Sequence, residues 1–160
     1  MATAPPTQGA LFSRPGIRED LAYSTKDVCG VTGVTYRQLD YWTRTGLVEA
    51  SAIPARGSGN RRRYEFRDVL EVKIISRLLQ AGLSLQKSRF ALEQLRRLGA
   101  TEFTQAVLIC DGESVYYCED ASQVTDLLTG GQAVFGVSIP HLVGQIVDEM
   151  TALSQPHEES

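Results

Sequence analysis

Between Thr35 and Arg63 the chain concentrates side chains of the types that grip a polyanion. Tyr36, Arg37, Gln38, Tyr41 and Arg44 fall in one short window. Arg and Gln have the reach and the donors for base edges and phosphates, and Tyr hydroxyls are common phosphate partners. Thr35 and Trp42 lie in the same window. Trp42 reads either as a core anchor or as a contact. Downstream, Arg61, Arg62 and Arg63 stand in a row behind Gly57-Ser58-Gly59-Asn60. Three consecutive cations behind a flexible tip would lie along a run of phosphates. A charge run can also be a plain solvated loop, but its place after the first window favours nucleic-acid contact.

Other chemistries lack their parts. There is no nucleophile–base pair, carboxylate dyad or phosphate-cradling loop, so no enzyme is expected. Gly130-Gly131 suits a strand-entry turn rather than a nucleotide loop. His141 and His157 are far from plausible co-ligands, and no metal or other cofactor is expected. Tyr116 and Tyr117 alternate, which suits one core and one surface residue better than a ligand clamp.

The charge distribution supports the polyanion reading. All 16 Lys and Arg fall within residues 1–97, against nine acids there, a balance of +7. Residues 98–160 carry the other ten acids and no base, a balance of −10, and the overall −3 hides the division. Such opposed halves suggest a polyanion-binding module joined to one that avoids polyanions. A merely solubilising acidic half is the plainer alternative.

The elements that must position these residues can be read along the chain. Residues 1–20 are Pro/Gly/Ala-rich and are expected to be a disordered tail. Ser24-Thr25-Lys26-Asp27 has the form of a capping box, so a first helix should begin there and end near Gly30. Gly33 then serves a tight turn. Thr35 with Gln38 makes a second capping box, opening a helix that stops at Gly46. Two short helices joined by a glycine turn form a helix-turn-helix. A β-hairpin wing is expected between Ile53 and Tyr64.

From about Phe66 to Ala81, apolar residues recur at helical spacing before Gly82. Ser84 should cap a further helix, with Leu85, Ala91, Leu92, Leu95 and Leu98 on one stripe, ending at Gly99. Beyond it, β-rich runs flank Asp111-Gly112 and predict a hairpin with a two-residue turn, in which Cys110 faces Glu113 rather than Cys118. A short helix (121–128), a strand over 132–139, a helix from Pro140 to about Leu153 and a disordered tail complete the chain.

The expected fold is therefore mainly α with small β. A winged helix-turn-helix DNA-binding domain (21–99) is followed by a small α+β domain (100–153), which is marginal in size for standing alone and should dimerise or pack on a partner. Three cysteines without a C-x-x-C pair suit reduced thiols in a cytoplasm. No apolar run reaches the length of a membrane span, and the N-terminus has no signal-peptide pattern.

GVT (Gly33–Thr35), LDYWTRTGL (Leu39–Leu47), RRYEFRDV (Arg62–Val69) and AGLSLQKS (Ala81–Ser88) resemble the segments that mark the MerR family of bacterial regulators. The likeness covers about residues 22–98. YRQLDYW, the Asp-Gly hairpin and LLTGGQAVFGV further resemble a narrower group of actinobacterial regulators typified by the cell-division regulator FtsR. The resemblance implies a homodimer on a pseudo-palindromic, double-stranded promoter, with RNA polymerase as a further partner. It also implies backbone contact by Tyr41 and Arg44 and a wing contact by Arg62. Three departures stand out, one of them Trp42 in place of the family's second Tyr. Asp40 occupies a position usually held by Arg, which removes one phosphate contact or turns it inward. The long dimerising helix is replaced by a hairpin after Gly99. An excisionase-like architectural factor and an interaction module without DNA binding are the competing classes. The folded second unit speaks against the first, and the wing arginines against the second.

Overall fold

A computed structural model describes residues 22–52, 62–110, 114–118, 122–123 and 135–154. The expected tails, the wing tip with Arg61, most of the helix expected over 121–128 and the first part of the expected strand over 132–139 lie outside the described residues. The chain divides into two compact units, Met1–Val69 with Gly144–Ser160, and Leu70–Val143.

In the first unit, β1 (Tyr23–Ser24) leads into α1 (Thr25–Thr32). Ser24 caps α1 by accepting from the Asp27 backbone at 3.1 Å, and its own N–H donates to Asp27 Oδ2 at 3.2 Å. The capping box starts where expected, but α1 runs two residues beyond Gly30 and ends on Gly33, whose φ of 78° closes the turn. Gly30 costs a helix interior only about 1 kcal/mol, whereas a left-handed φ strongly favours glycine. The chain therefore places its terminator at Gly33.

Thr35 caps α2 (Tyr36–Arg44) through a complete capping box with Gln38. Leu39 is wholly buried and Trp42 nearly so, and α1 and α2 pack on each other. A two-residue strand, β2 (Arg63–Tyr64), pairs antiparallel with β1. Sequence reading missed β1, because two residues are too few to carry a period-2 pattern.

α3 (Phe66–Gln80) begins as expected and is followed by Gly82 at φ +95°. Leu70, Val72, Ile74, Ile75 and Leu78 are all fully buried, the mark of a central helix. In the second unit, Glu71 on α3 receives two hydrogen bonds from Arg96 on α4 (Leu85–Arg96), at 3.1 and 2.8 Å. A buried carboxylate is tolerable because this bidentate fork satisfies it. Ser84 caps α4 as expected. Gly99 does not simply end that helix: α4 stops at Arg96, and Gly99 is the N-cap of a further helix, α5 (Ala100–Gln105).

The second unit's sheet comprises β3 (Val107–Cys110), β4 (Val115–Cys118) and β5 (Phe135–Ser138), all antiparallel, in the order β4-β3-β5. The two-residue hairpin turn is corrected here. Cys110 faces Val115, not Glu113, so four residues separate the paired strands. A two-residue turn would put Glu113 and Ser114 into the ladder. The longer connection gives that place to β-branched Val115, and a shift of two keeps every side chain on its face. Cys118 faces Val107, and none of the three cysteines forms a disulfide. The chain continues into α6 (Ile139–Ser154), one residue earlier than its proline suggested. Among the described residues no helix is long and apolar enough to cross a membrane. The fold is thus mainly helical, with two small sheets.

Candidate nucleic-acid interface

The window from Thr35 to Arg44 forms one amphipathic helix with a sharply divided surface. At about 100° per residue, Arg37, Tyr41 and Arg44 fall within roughly 60° of one another. Leu39 and Trp42 occupy the opposite side and are buried. Trp42 is 3% exposed and so takes the core-anchoring role of its two alternatives. Tyr36 and Tyr41 are 61% and 50% exposed, and Arg37, Gln38 and Arg44 are exposed as well. Large aromatics stand so far into solvent here because the buried face has already claimed Leu39 and Trp42.

Thr35 and Gln38 serve the backbone first. The Gln38 N–H donates to Thr35 Oγ1 at 3.1 Å, and the Thr35 N–H donates to Gln38 Oε1 at 3.0 Å. That holds the first turn of α2 rigid and leaves the Gln38 side-chain NH2 without a hydrogen-bond partner among the described residues. A pre-ordered turn loses less entropy when its side chains meet a ligand.

Asp40 explains what replaces the usual arginine. Its Oδ1 accepts from Arg62 Nη1 at 2.7 Å and its Oδ2 from Arg44 Nε at 2.9 Å. The Arg62 hydrogen bond is the main reason its carboxyl lies below the ordinary range; loss of hydration opposes it as the next-largest effect, and the Arg44 hydrogen bond and charge add to the lowering. Asp40 thus has the intramolecular role, tying α2 to the start of β2. Arg62 is held in a way the sequence did not indicate. Its side chain is only 11% exposed, against 61% for Arg44, and its Nε is buried without a hydrogen-bond partner among the described residues. Arg62 therefore supports α2 from beneath, whereas Arg44 is steered along the exposed stripe. Arg63 lies in β2, with Nη1 donating to the Arg62 carbonyl at 3.0 Å.

The base of the expected wing is clamped by Asp68. Its Oδ2 accepts from the Ser51 N–H and hydroxyl on the outgoing arm, and from the Glu65 N–H on the returning one. The Ala52 N–H donates to the Arg63 carbonyl at 3.1 Å. Tyr64, fully buried, shares a 2.9 Å hydrogen bond with Thr43 of α2. Neither Asp68 nor Tyr64 was singled out from the sequence, although both lie within the RRYEFRDV segment. Their role needs partners 17 and 21 residues away, which spacing does not reveal.

α2 is about 13 Å long at 1.5 Å per residue, and its exposed side carries donors on a rigid, capped backbone. A helix of this kind fits the major groove of duplex DNA, with side chains near its N-terminus toward base edges.

Comparison with known proteins agrees with that chemistry. The family described as MerR HTH family regulatory protein matches residues 23–95. HTH-type transcriptional regulators of Mycobacterium tuberculosis and Mycobacterium bovis are 43% identical over 152 residues, covering 92% of this chain and 68% of each relative. The nodulation protein NolA of a Bradyrhizobium species is 37% identical over 67 residues, covering 42% of this chain and 27% of its own.

Proposed function

The chain belongs to the MerR HTH family of transcriptional regulators, and on that premise we propose that it is a homodimer reading a pseudo-palindromic promoter through α2. The observation that carries the reading is the exposed stripe of Arg37, Tyr41 and Arg44 on a helix capped at Thr35 and braced by Asp40, Arg62 and Tyr64. In this reading Arg37 and Gln38 reach base edges. Tyr36, Tyr41 and Arg44 bind phosphates, and Trp42 and Arg62 hold the helix in place. Arg61 and Arg63 add wing contacts to the backbone.

Residues 100–153 are the proposed dimerisation and effector domain, because the usual long dimer helix is replaced by α5 and a sheet. RNA polymerase is the proposed further partner, the cytoplasm the location, and cell-division genes the targets, in line with the FtsR-like segments. The test combines genome-wide mapping of bound DNA with anisotropy titrations of the full chain on a recovered site. A dyad-symmetric site bound with two copies per site, with affinity falling steeply as salt rises, supports the reading. Binding that is indifferent to sequence moves the protein to the architectural class.

A further inference from the structure

The second unit holds a half-open cavity of about 850 Å³ between α4 and the β3–β4 strands. Small-molecule sites span roughly 300–1,000 Å³, so the space suits a ligand rather than a trapped water. Its inner surface is apolar, formed by Ala91, Leu95, Leu98, Leu108 and Val115. Phe90 stands at its edge, 64% exposed, the most exposed large hydrophobic side chain among the described residues. Unlike Tyr36 and Tyr41, Phe90 has no polar atom to reward exposure, so only apolar contact offsets it.

We infer that this cavity binds an amphipathic organic anion, an apolar chain or ring bearing one carboxylate or sulfonate. The charge pattern selects the headgroup. Among the described residues lining the cavity, Lys87 is the only charged side chain. Lys87 and Gln86 belong to the first turn of α4, where the helix dipole adds positive character. Gln94, two turns further along α4 on the same side, supplies a neutral donor. A second copy fits less well. A two-fold contact through this face would bury Lys87 of each copy in an apolar interface with no acid lining it among the described residues. The site is independent of the DNA reading.

Calorimetric titration of the full chain with decanoate, decanol and decyltrimethylammonium tests the assignment. One saturable site is expected for decanoate, with decanol weaker and the cationic probe weakest. Lys87→Gln should weaken decanoate about fivefold and leave decanol unchanged, the scale of one exposed ion pair. Phe90→Ser should weaken both about tenfold, through lost apolar contact. Both positions are exposed, so the variants should keep the wild-type circular dichroism and melting curve. Absence of saturable decanoate binding, equal affinity for the three probes, or variants that bind as the wild type would each overturn the site. A fall in light-scattering mass for Phe90→Ser would overturn it too, by assigning the face to a second copy. Loss of the site leaves operator binding unaffected.

Discussion

Helices α2 and α4 start alike and end up with different chemistry. Each is opened by a hydroxyl that accepts from the third helical N–H, Thr35 from Gln38 and Ser84 from Lys87, both at 3.1 Å. Each buries a leucine completely, Leu39 and Leu92, and each leaves an aromatic largely in solvent. On α2 the exposed aromatics are tyrosines flanked by arginines. On α4 the exposed aromatic is Phe90, beside a cavity of about 850 Å³. Caps and buried leucines decide that a helix forms and which way it faces. The outward chemistry, and whether a concavity adjoins it, decides what the helix can hold. Tyr and Arg suit phosphates and base edges, and Phe beside an apolar hollow suits a greasy ligand.

The sharpest way to break this contrast is to remove a cation from each helix and measure DNA binding. Arg37→Ala should cost about 1–3 kcal/mol on the cognate site, the usual loss of a base contact. It should cost far less on random duplex. Arg89→Ala on α4 should change neither. Anisotropy titrations at fixed salt decide it. A similar loss from both variants would mean that DNA follows general charge rather than α2.

The caps give a finer test, because they should affect the two helices equally in stability and unequally in function. Thr35→Ala and Ser84→Ala should each lower the unfolding free energy by about 1 kcal/mol in urea melts. Only Thr35→Ala should also weaken operator binding, since it loosens the turn that carries Arg37. If Ser84→Ala weakened DNA binding as much, the caps would be acting through global stability alone.

These same features show what the sequence made legible. Both capping boxes, the glycine at position 33, the burial of Leu39 and the end of α3 before Gly82 follow from local rules, and local rules are written in neighbouring residues. The stripe on α2 was readable for the same reason. Four features were not. The register of the β3–β4 hairpin depends on which residue opposite Cys110 gains more by joining the ladder, a choice between Asp-Gly turn preference and the apolar Val115. Helix α5 has no side-chain cap, since Gly99 offers none, so nothing local announces it. Arg62 looked like one more exposed wing cation, because its partner Asp40 lies 22 residues earlier in the chain. The cavity on α4 needed the sheet to close its second wall.

The smallest expected effect tests whether Asp40 braces α2 by charge. The Arg62 and Arg44 hydrogen bonds hold its carboxyl below the usual carboxylate range. A carboxyl with a depressed folded-state pKa stabilises the fold at every pH above the unfolded value, about 3.9. That contribution is lost as pH falls from there through the folded value, because the proton then binds the native state too. Wild type should therefore melt higher than Asp40→Asn at pH 7, and the gap should close on going from about pH 4 toward pH 2. The gap will be modest, since Asp40 and Arg44 are partly open to solvent and such pairs are well screened. Added salt should narrow it further at pH 7. A gap that stays constant from pH 7 to pH 2 would mean that the carboxylate's charge is irrelevant. Asp40 would then act through the shape of its hydrogen bonds alone, and Arg44 would reach its place on the stripe without electrostatic help.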